Sequence, residues 1–394
     1  MKGKSTGKYL VIWLILLGLL LVSLAAGCSQ EEETSTTLDA LSDAQLLPKP
    51  VQTTNPGTTS IINVLSSSVE TDFPQSLTFS LEAESTHNIT DLQLIYTTPK
   101  ILRPSVTVTI RPDFEPGTHV EANWTWDTRK ANLPTGARIE YGWVIENDSE
   151  DRLQTETVTV TFDDAQHDWK ELEDEDIRLF WYKGDKTFGQ DLMETAQQAL
   201  VKHSETTESE LEQQVSIYIY GSTEDLHDAL IYPDEWTGGM AFPEYGVIVI
   251  GVAPHNIAWG KRAVTHELSH MIIYQVTYSP LSNIPTWLDE GLAMYSEGEL
   301  MSNFEQNLQQ AISNDTLFSI GSISGSFPAA TEEAELAYAQ SYSLVEFLID
   351  NFGSSKMQLL IQAFSDGITL DNALLEVYGL DSEQLEIDWR NSVL

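Results

Sequence analysis

His266, Glu267 and His270 stand in the run His-Glu-Leu-Ser-His, and Glu290 follows twenty residues after the second histidine, inside Trp-Leu-Asp-Glu-Gly. Two histidines four positions apart lie one turn apart on the same face of a helix, so both imidazoles can reach one metal ion. A catalytic zinc site takes three protein ligands and keeps one position open. His266 and His270 supply two of them, and Glu290 is the obvious third. Mixed imidazole and carboxylate ligation with an open position suits zinc (Zn2+), although these residue types also admit cobalt or manganese. Glu267, beside the first histidine, is placed to take a proton from a water activated by the ion. A purely structural site would have no use for that base. The chain has only eight histidines, so composition alone makes such a grouping uncommon.

The positioning elements can be read from periodicity. Residues 257–276 carry apolar side chains at helical spacing (Ile257, Val264, Leu268, Ile272) and no proline, which predicts one helix. A second helix is predicted after Pro285, with that proline in its first turn. It places Leu288, Leu292 and Tyr295 at 3–4 spacing and Glu290 on another face. A helix–loop–helix folding back on itself would bring Glu290 over the two histidines. Asp289 then either steadies a ligand histidine from behind or is a first-turn acid favoured by the helix dipole.

These residues, with the run Pro-Thr-Trp-Leu-Asp-Glu-Gly-Leu-Ala at 285–293, resemble the gluzincin metallopeptidases and, more narrowly, the bacterial peptidase MA-like family. Residues 338–344 and the pair Phe352-Gly353 are similar to that family's later helix. Residues 133–144, Asp164 and Trp169 are similar to a β-module and junction found ahead of the catalytic domain, so the likeness spans residues 61–394. The resemblance implies zinc-dependent hydrolysis of peptide bonds in a peptide or protein substrate. It implies that Gly239, Met240 and Ala241 lie at the rim where substrate backbone pairs. Aminopeptidases of the group carry Gly-x-Met-Glu-Asn there. This chain has Ala241 at the glutamate position, which argues against aminopeptidase action unless Glu244 substitutes after a shift. A tyrosine donor to the oxyanion is implied as well. Tyr338 and Tyr342, one turn apart, are the candidates, with Tyr274 and Tyr295 as alternatives.

Composition bounds the rest. With 60 acidic residues against 20 Lys and Arg, the net charge is −40, which excludes nucleic acid as a partner. Residues 1–28 begin with Lys2, Lys4 and Lys8, continue with an apolar run over 9–26, and end in Gly27 and Cys28, the chain's one cysteine. This looks like a lipoprotein signal in which Cys28 receives lipid. The alternative is an uncleaved anchor, for which the run is near the lower limit. Either way the expected location is extracytoplasmic and anchored to the cell membrane. Residues 29–60 read as a disordered, acidic, Ser/Thr-rich tether. Residues 61–165 alternate with period two in about seven short runs, which predicts an antiparallel β-sandwich of immunoglobulin-like strand count. Trp124 and Trp126 lie on one strand face there, where core packing is expected rather than a carbohydrate platform. Residues 166–394 read as an α+β zincin-type metallopeptidase domain. Its strands are expected at 177–182, 215–220 and 246–251, with helices at 191–203, 301–314, 332–352, 354–366, 370–378 and 383–392. Two other functional readings stay open: a metal-binding surface protein without turnover, with the β-module as adhesin, and a non-peptide hydrolase on the same fold.

Overall fold

Period-two patterning becomes sheet in the N-terminal part of the computed structural model, which describes residues 52–53 and 61–393 apart from 208–210, 212, 234–236, 282 and 329. The signal segment with Cys28, and almost all of the tether, lie outside the described residues. Strands β1 (Gln52–Thr53), β2 (Ile62–Asp72), β3 (Ser76–Thr97), β4 (Thr107–Ile110), β5 (Gly117–Asp127), β6 (Ala137–Asn147), β7 (Arg152–Gln154) and β8 (Val158–Phe162) are all joined antiparallel. Two runs expected to be separate strands, around Phe79 and around Leu94, are one strand of 22 residues. The first half of β3 pairs with β2 and β5, and its second half with β4 and β6. Register shifts between Glu84 and Ile89 mark the change. Leu77, Phe79 and Leu81 from the first half share one core with Leu92, Leu94 and Tyr96 from the second. The ring of Phe79 lies 6.1 Å from Tyr96 and 5.2 Å from Tyr141. Each such side chain contributes about 1.5–3 kcal/mol by leaving water. Trp124 and Trp126 are half-buried against Tyr96, as core packing requires.

The next elements are β9 (Lys170–Glu173), β10 (Ile177–Trp181), α1 (Lys186–Thr207), β11 (Val215–Tyr220), α2 (Thr223–Ala229), β12 (Gly239–Phe242), β13 (Val247–Gly251) and α3 (Ile257–Thr277). The sheet runs β12-β13-β11-β10-β9, with three parallel strands inside and an antiparallel strand at each edge. Parallel neighbours need a crossover, and α1 provides it between β10 and β11. Ile177, Leu179, Ile217, Ile219, Ile248 and Ile250 pack with residues of α1 and α3. Tyr218, Tyr220, Val247 and Val249 point the other way, where Trp169 and Phe73 join them. Three elements here were not foreseen. β9 and β12 are four residues each, and β12 is made a strand by its ladder to β13 rather than by propensity. α2 has seven residues, is capped by Ser222, and buries only Leu226 and Ala229.

The remainder is helical: α4 (Thr286–Glu297), α5 (Ser302–Asn314), α6 (Thr331–Phe352), α7 (Ser354–Ser365), α8 (Leu370–Tyr378) and α9 (Ser382–Val393). Trp287, Leu288, Leu344, Phe364 and Trp389 form its core. α4 and α6 meet closely at Gly291, where a Cβ would come within 2.5 Å of the Ser341 carbonyl oxygen. Gly379 closes α8 with φ 78°, the left-handed conformation that ends a helix without side-chain strain. Among the described residues, no helix is long and apolar enough to cross a membrane.

Candidate metal centre and cleft

α3 turns Val264, Leu268, Met271 and Ile272 into the core, which leaves the stripe His266, His270, Tyr274 facing outward along its axis. α4 starts on Pro285, whose carbonyl accepts from Leu288 N (3.0 Å) and Asp289 N (3.1 Å). Trp287 and Leu288 bury one side of α4, so Glu290 is presented to α3. Its Oε2 lies 3.2 Å from His266 Nε2 and 3.5 Å from His270 Nε2. One donor atom from each of the three residues falls within 4.8 Å of the others.

Whether these residues fit a metal can be tested on that carboxylate. Among the described residues, Glu290 Oε2 is buried without an aligned hydrogen-bond donor, although two imidazoles are close. A buried acceptor is normally paired. One aimed, with two imidazole nitrogens, at a common point suits a divalent cation, and the donor set is that of zinc-type sites. The residues therefore fit the ion.

The histidines are held from behind by carboxylates. His266 Nδ1 is hydrogen-bonded to Glu297 Oε1 at 2.7 Å, and the other oxygen of Glu297 accepts from Arg262 Nε at 2.9 Å. His270 Nδ1 lies 3.1 Å from Asp289 Oδ1, close enough for ion pairing but without the alignment of a hydrogen bond. Burial alone would lower the His266 pKa, but the Glu290 and Glu297 carboxylates outweigh it and hold the imidazole up to about 10 when no metal competes. His270 is raised for the same reason: burial opposes, and the charges of Asp289 and Glu290 prevail. Burial would raise Glu290, yet the two histidines hold it far below the usual carboxylate range. Glu267 behaves oppositely. Burial pushes its carboxyl above the ordinary value, against the pull of the histidines.

A cleft of about 440 Å³ opens over this centre. Gly239, Met240 and Ala241 line it from β12, the edge strand. A Cβ on Gly239 would stand 2.7 Å from Glu267 Oε1, so only glycine lets the carboxylate lie beneath the rim. Tyr338 of α6 also lines the cleft, with its ring 6.3 Å from His266. Burial and the nearby Glu290 and Glu267 carboxylates keep its hydroxyl protonated well above the usual phenol range, so it is a donor.

The structure does not bring Tyr342 to the cleft. Its hydroxyl donates to Glu346 Oε1 at 3.0 Å, and its ring packs 6.1 Å from Tyr295, which is likewise away from the cleft. One further turn of α6 carries it past the centre. Tyr274 does line the cleft. Glu244 is occupied by Lys100 and Arg103 of the loop between β3 and β4 and cannot stand in for a rim glutamate. Glu297 was missed in the sequence reading. Its signal is spacing, for it lies two turns beyond Glu290 on the same face of α4. A second group, Glu82, His119 and Glu121, clusters on the exposed face of β3 and β5, with Glu82 3.4 Å from the imidazole, and reads as solvated cross-strand pairs.

A family model of the peptidase MA superfamily matches residues 195–394. Solved structures similar to the chain include Legionella pneumophila aminopeptidase A in complex with aspartic acid, at 10% identity and a TM-score of 0.41, covering 83% of this chain and 49% of that one. The chain thus spans about half the length of that structure. No curated protein matches the chain.

Proposed function

The chain belongs to the peptidase MA superfamily, and from that premise we propose that it is a zinc metallopeptidase that hydrolyses peptide bonds outside the cytoplasm. The observation that carries the reading is the convergence of His266, His270 and Glu290 beside a buried carboxylate, Glu267, in an open cleft. His266, His270 and Glu290 would hold the ion. Zinc supplies, when bound, polarisation of a carbonyl and a lowered pKa for water, towards about 7. Substrate backbone lies extended along β12, whose free edge can add a strand. Glu267 takes the proton of the attacking water and returns it to the leaving amine. Tyr338 donates a hydrogen bond to the oxygen that gains negative charge. Glu297 and Asp289 orient the ligand imidazoles.

Replacing Glu267 by Gln tests this directly. Loss of a general base costs about 10²–10⁴-fold in rate, so Glu267→Gln should bind zinc one to one but cleave a fluorogenic peptide at least a hundredfold more slowly. Equal turnover by both forms would remove Glu267 from the reaction, and zinc binding without cleavage by wild type would leave a metal-binding surface protein.

The organisation proposed with this function has four parts. Residues 1–28 are a lipoprotein signal with Cys28 as the anchor, 29–60 a tether, 61–165 an immunoglobulin-like sandwich, and 166–394 the peptidase domain. The antiparallel pairing of β1 to β8 and the one core shared by both halves of β3 support the third part.

A further inference from the structure

The cleft has a wall that the peptidase region does not supply. Between β3 and β4 the chain leaves the N-terminal sheet and lies against the turn that follows β12. There Ile101 N donates to Glu244 O at 2.7 Å, and the Ile101 side chain takes the space beside Gly246, where a Cβ would come within 2.7 Å of it. Glu244 pairs with both Lys100 and Arg103, the latter at 2.6 Å. Two cations on one carboxylate leave a positive charge in surplus. Lys100 sits over Tyr245, away from the cleft. Arg103 reaches across Tyr274 (5.7 Å) and Tyr278 (5.4 Å) and lines the cleft itself.

His266, His270, Tyr274 and Tyr278 recur at every fourth position of α3 and its cap, one stripe from the metal centre to Arg103. From His270 to Tyr278 the axis advances roughly 12 Å at about 1.5 Å per residue. An extended peptide covers that in about three to four residues. The Arg103 side chain is 39% exposed. Its planar fork carries more N–H donors than Glu244 can use, in a geometry that matches a carboxylate. Aromatic faces on one side keep the fork flat and partly dry. On a chain of net charge −40, acidic peptides are otherwise repelled, so one uncompensated cation inside the cleft discriminates strongly.

Resting on the peptidase reading above, we infer that Arg103, supplied by the loop between β3 and β4 of the N-terminal region, is a specificity-determining residue that binds a substrate carboxylate about three to four residues from the cleaved bond. The carboxylate belongs to an aspartate or glutamate side chain or to the peptide terminus.

The test measures binding rather than turnover, so that it stands apart from the peptidase reading. Full-length zinc-loaded Glu267→Gln protein is titrated with fluorescent decapeptides in which one glutamate is walked through neutral positions, each against its glutamine counterpart, with free and amidated C-termini. Charge-assisted hydrogen bonds predict at least about a tenfold preference for glutamate at one position. Preference that vanishes on amidation assigns the terminus; preference that survives assigns the side chain. Adding Arg103→Gln should erase the preference and leave neutral peptides bound as before, while Arg103→Lys should keep part of it. Equal affinity of glutamate and glutamine peptides at every position overturns the inference. So does an equal loss for acidic and neutral peptides in Arg103→Gln, the result a merely structural arginine gives, and so does failure of every peptide to bind. Arg103-dependent binding without any cleavage by wild type would instead sink the peptidase reading alone.

Discussion

Glu297 and Asp289 present carboxylates to the Nδ1 atoms of the two histidines, but they are not equivalent. Only Glu297 makes an aligned hydrogen bond, and it is itself held by Arg262. Such partners are worth about 10–100-fold in metal affinity. Glu297→Gln should therefore weaken zinc binding by about that factor in a chelator competition, and Asp289→Asn by less. Equal losses would mean that alignment is irrelevant here. The convergence of His266, His270 and Glu290 beside Glu267 was legible because four-residue spacing sets both imidazoles on one face of a helix and the next helix returns over it. Glu297 was not, because its place two turns beyond Glu290 does not by itself show that it meets the far nitrogen of His266. Tyr342 was expected beside Tyr338 on periodicity, yet of the two only Tyr338 lines the cleft. One turn then suffices to move a hydroxyl from the metal centre to Glu346.

At the scale of elements, the position of Glu290 depends on how closely α4 lies on α6. Gly291 sets that distance: an added Cβ would meet the Ser341 carbonyl oxygen at 2.5 Å and Val345 Cγ2 at 2.7 Å, both on a buried face. Gly291→Ala should destabilise the fold by about 1–3 kcal/mol through overpacking. It should also lower zinc affinity, because α4 must shift with Glu290 on it. Thermal unfolding and chelator competition read the two effects, and an unchanged melting temperature would show that the helices yield freely. The long helices were readable because apolar residues recur at 3.6 spacing over many turns, as in α3 and α6. The continuity of β3 was not, since two alternating runs look alike whether or not a turn divides them. β12 was hidden because its glycine-rich run has little strand propensity and exists as a strand only through β13.

At the scale of the molecule, the buried site ties stability to pH. Without metal, the His266 pKa is raised from its ordinary 6.5 to about 10. A raised histidine contributes stability that is complete below its unfolded value and is lost as pH climbs through its folded one. His270 acts in the same direction. The metal-free protein should therefore melt progressively lower from about pH 7 to about pH 10, whereas zinc, which replaces those protons, should flatten the slope. A flat profile without metal would contradict the coupling. Glu290, held low, acts at the other end: its contribution is present above the ordinary carboxylate value and disappears in acid. Among the described residues, the sheet that carries the cleft ends at β12, which has a ladder neighbour on one side only. A guest can complete that ladder only by surrendering its own helices and turns over several residues. On the proposed reading, intact neighbours at the cell surface are spared by their shape, and chains already frayed or damaged are the ones consumed.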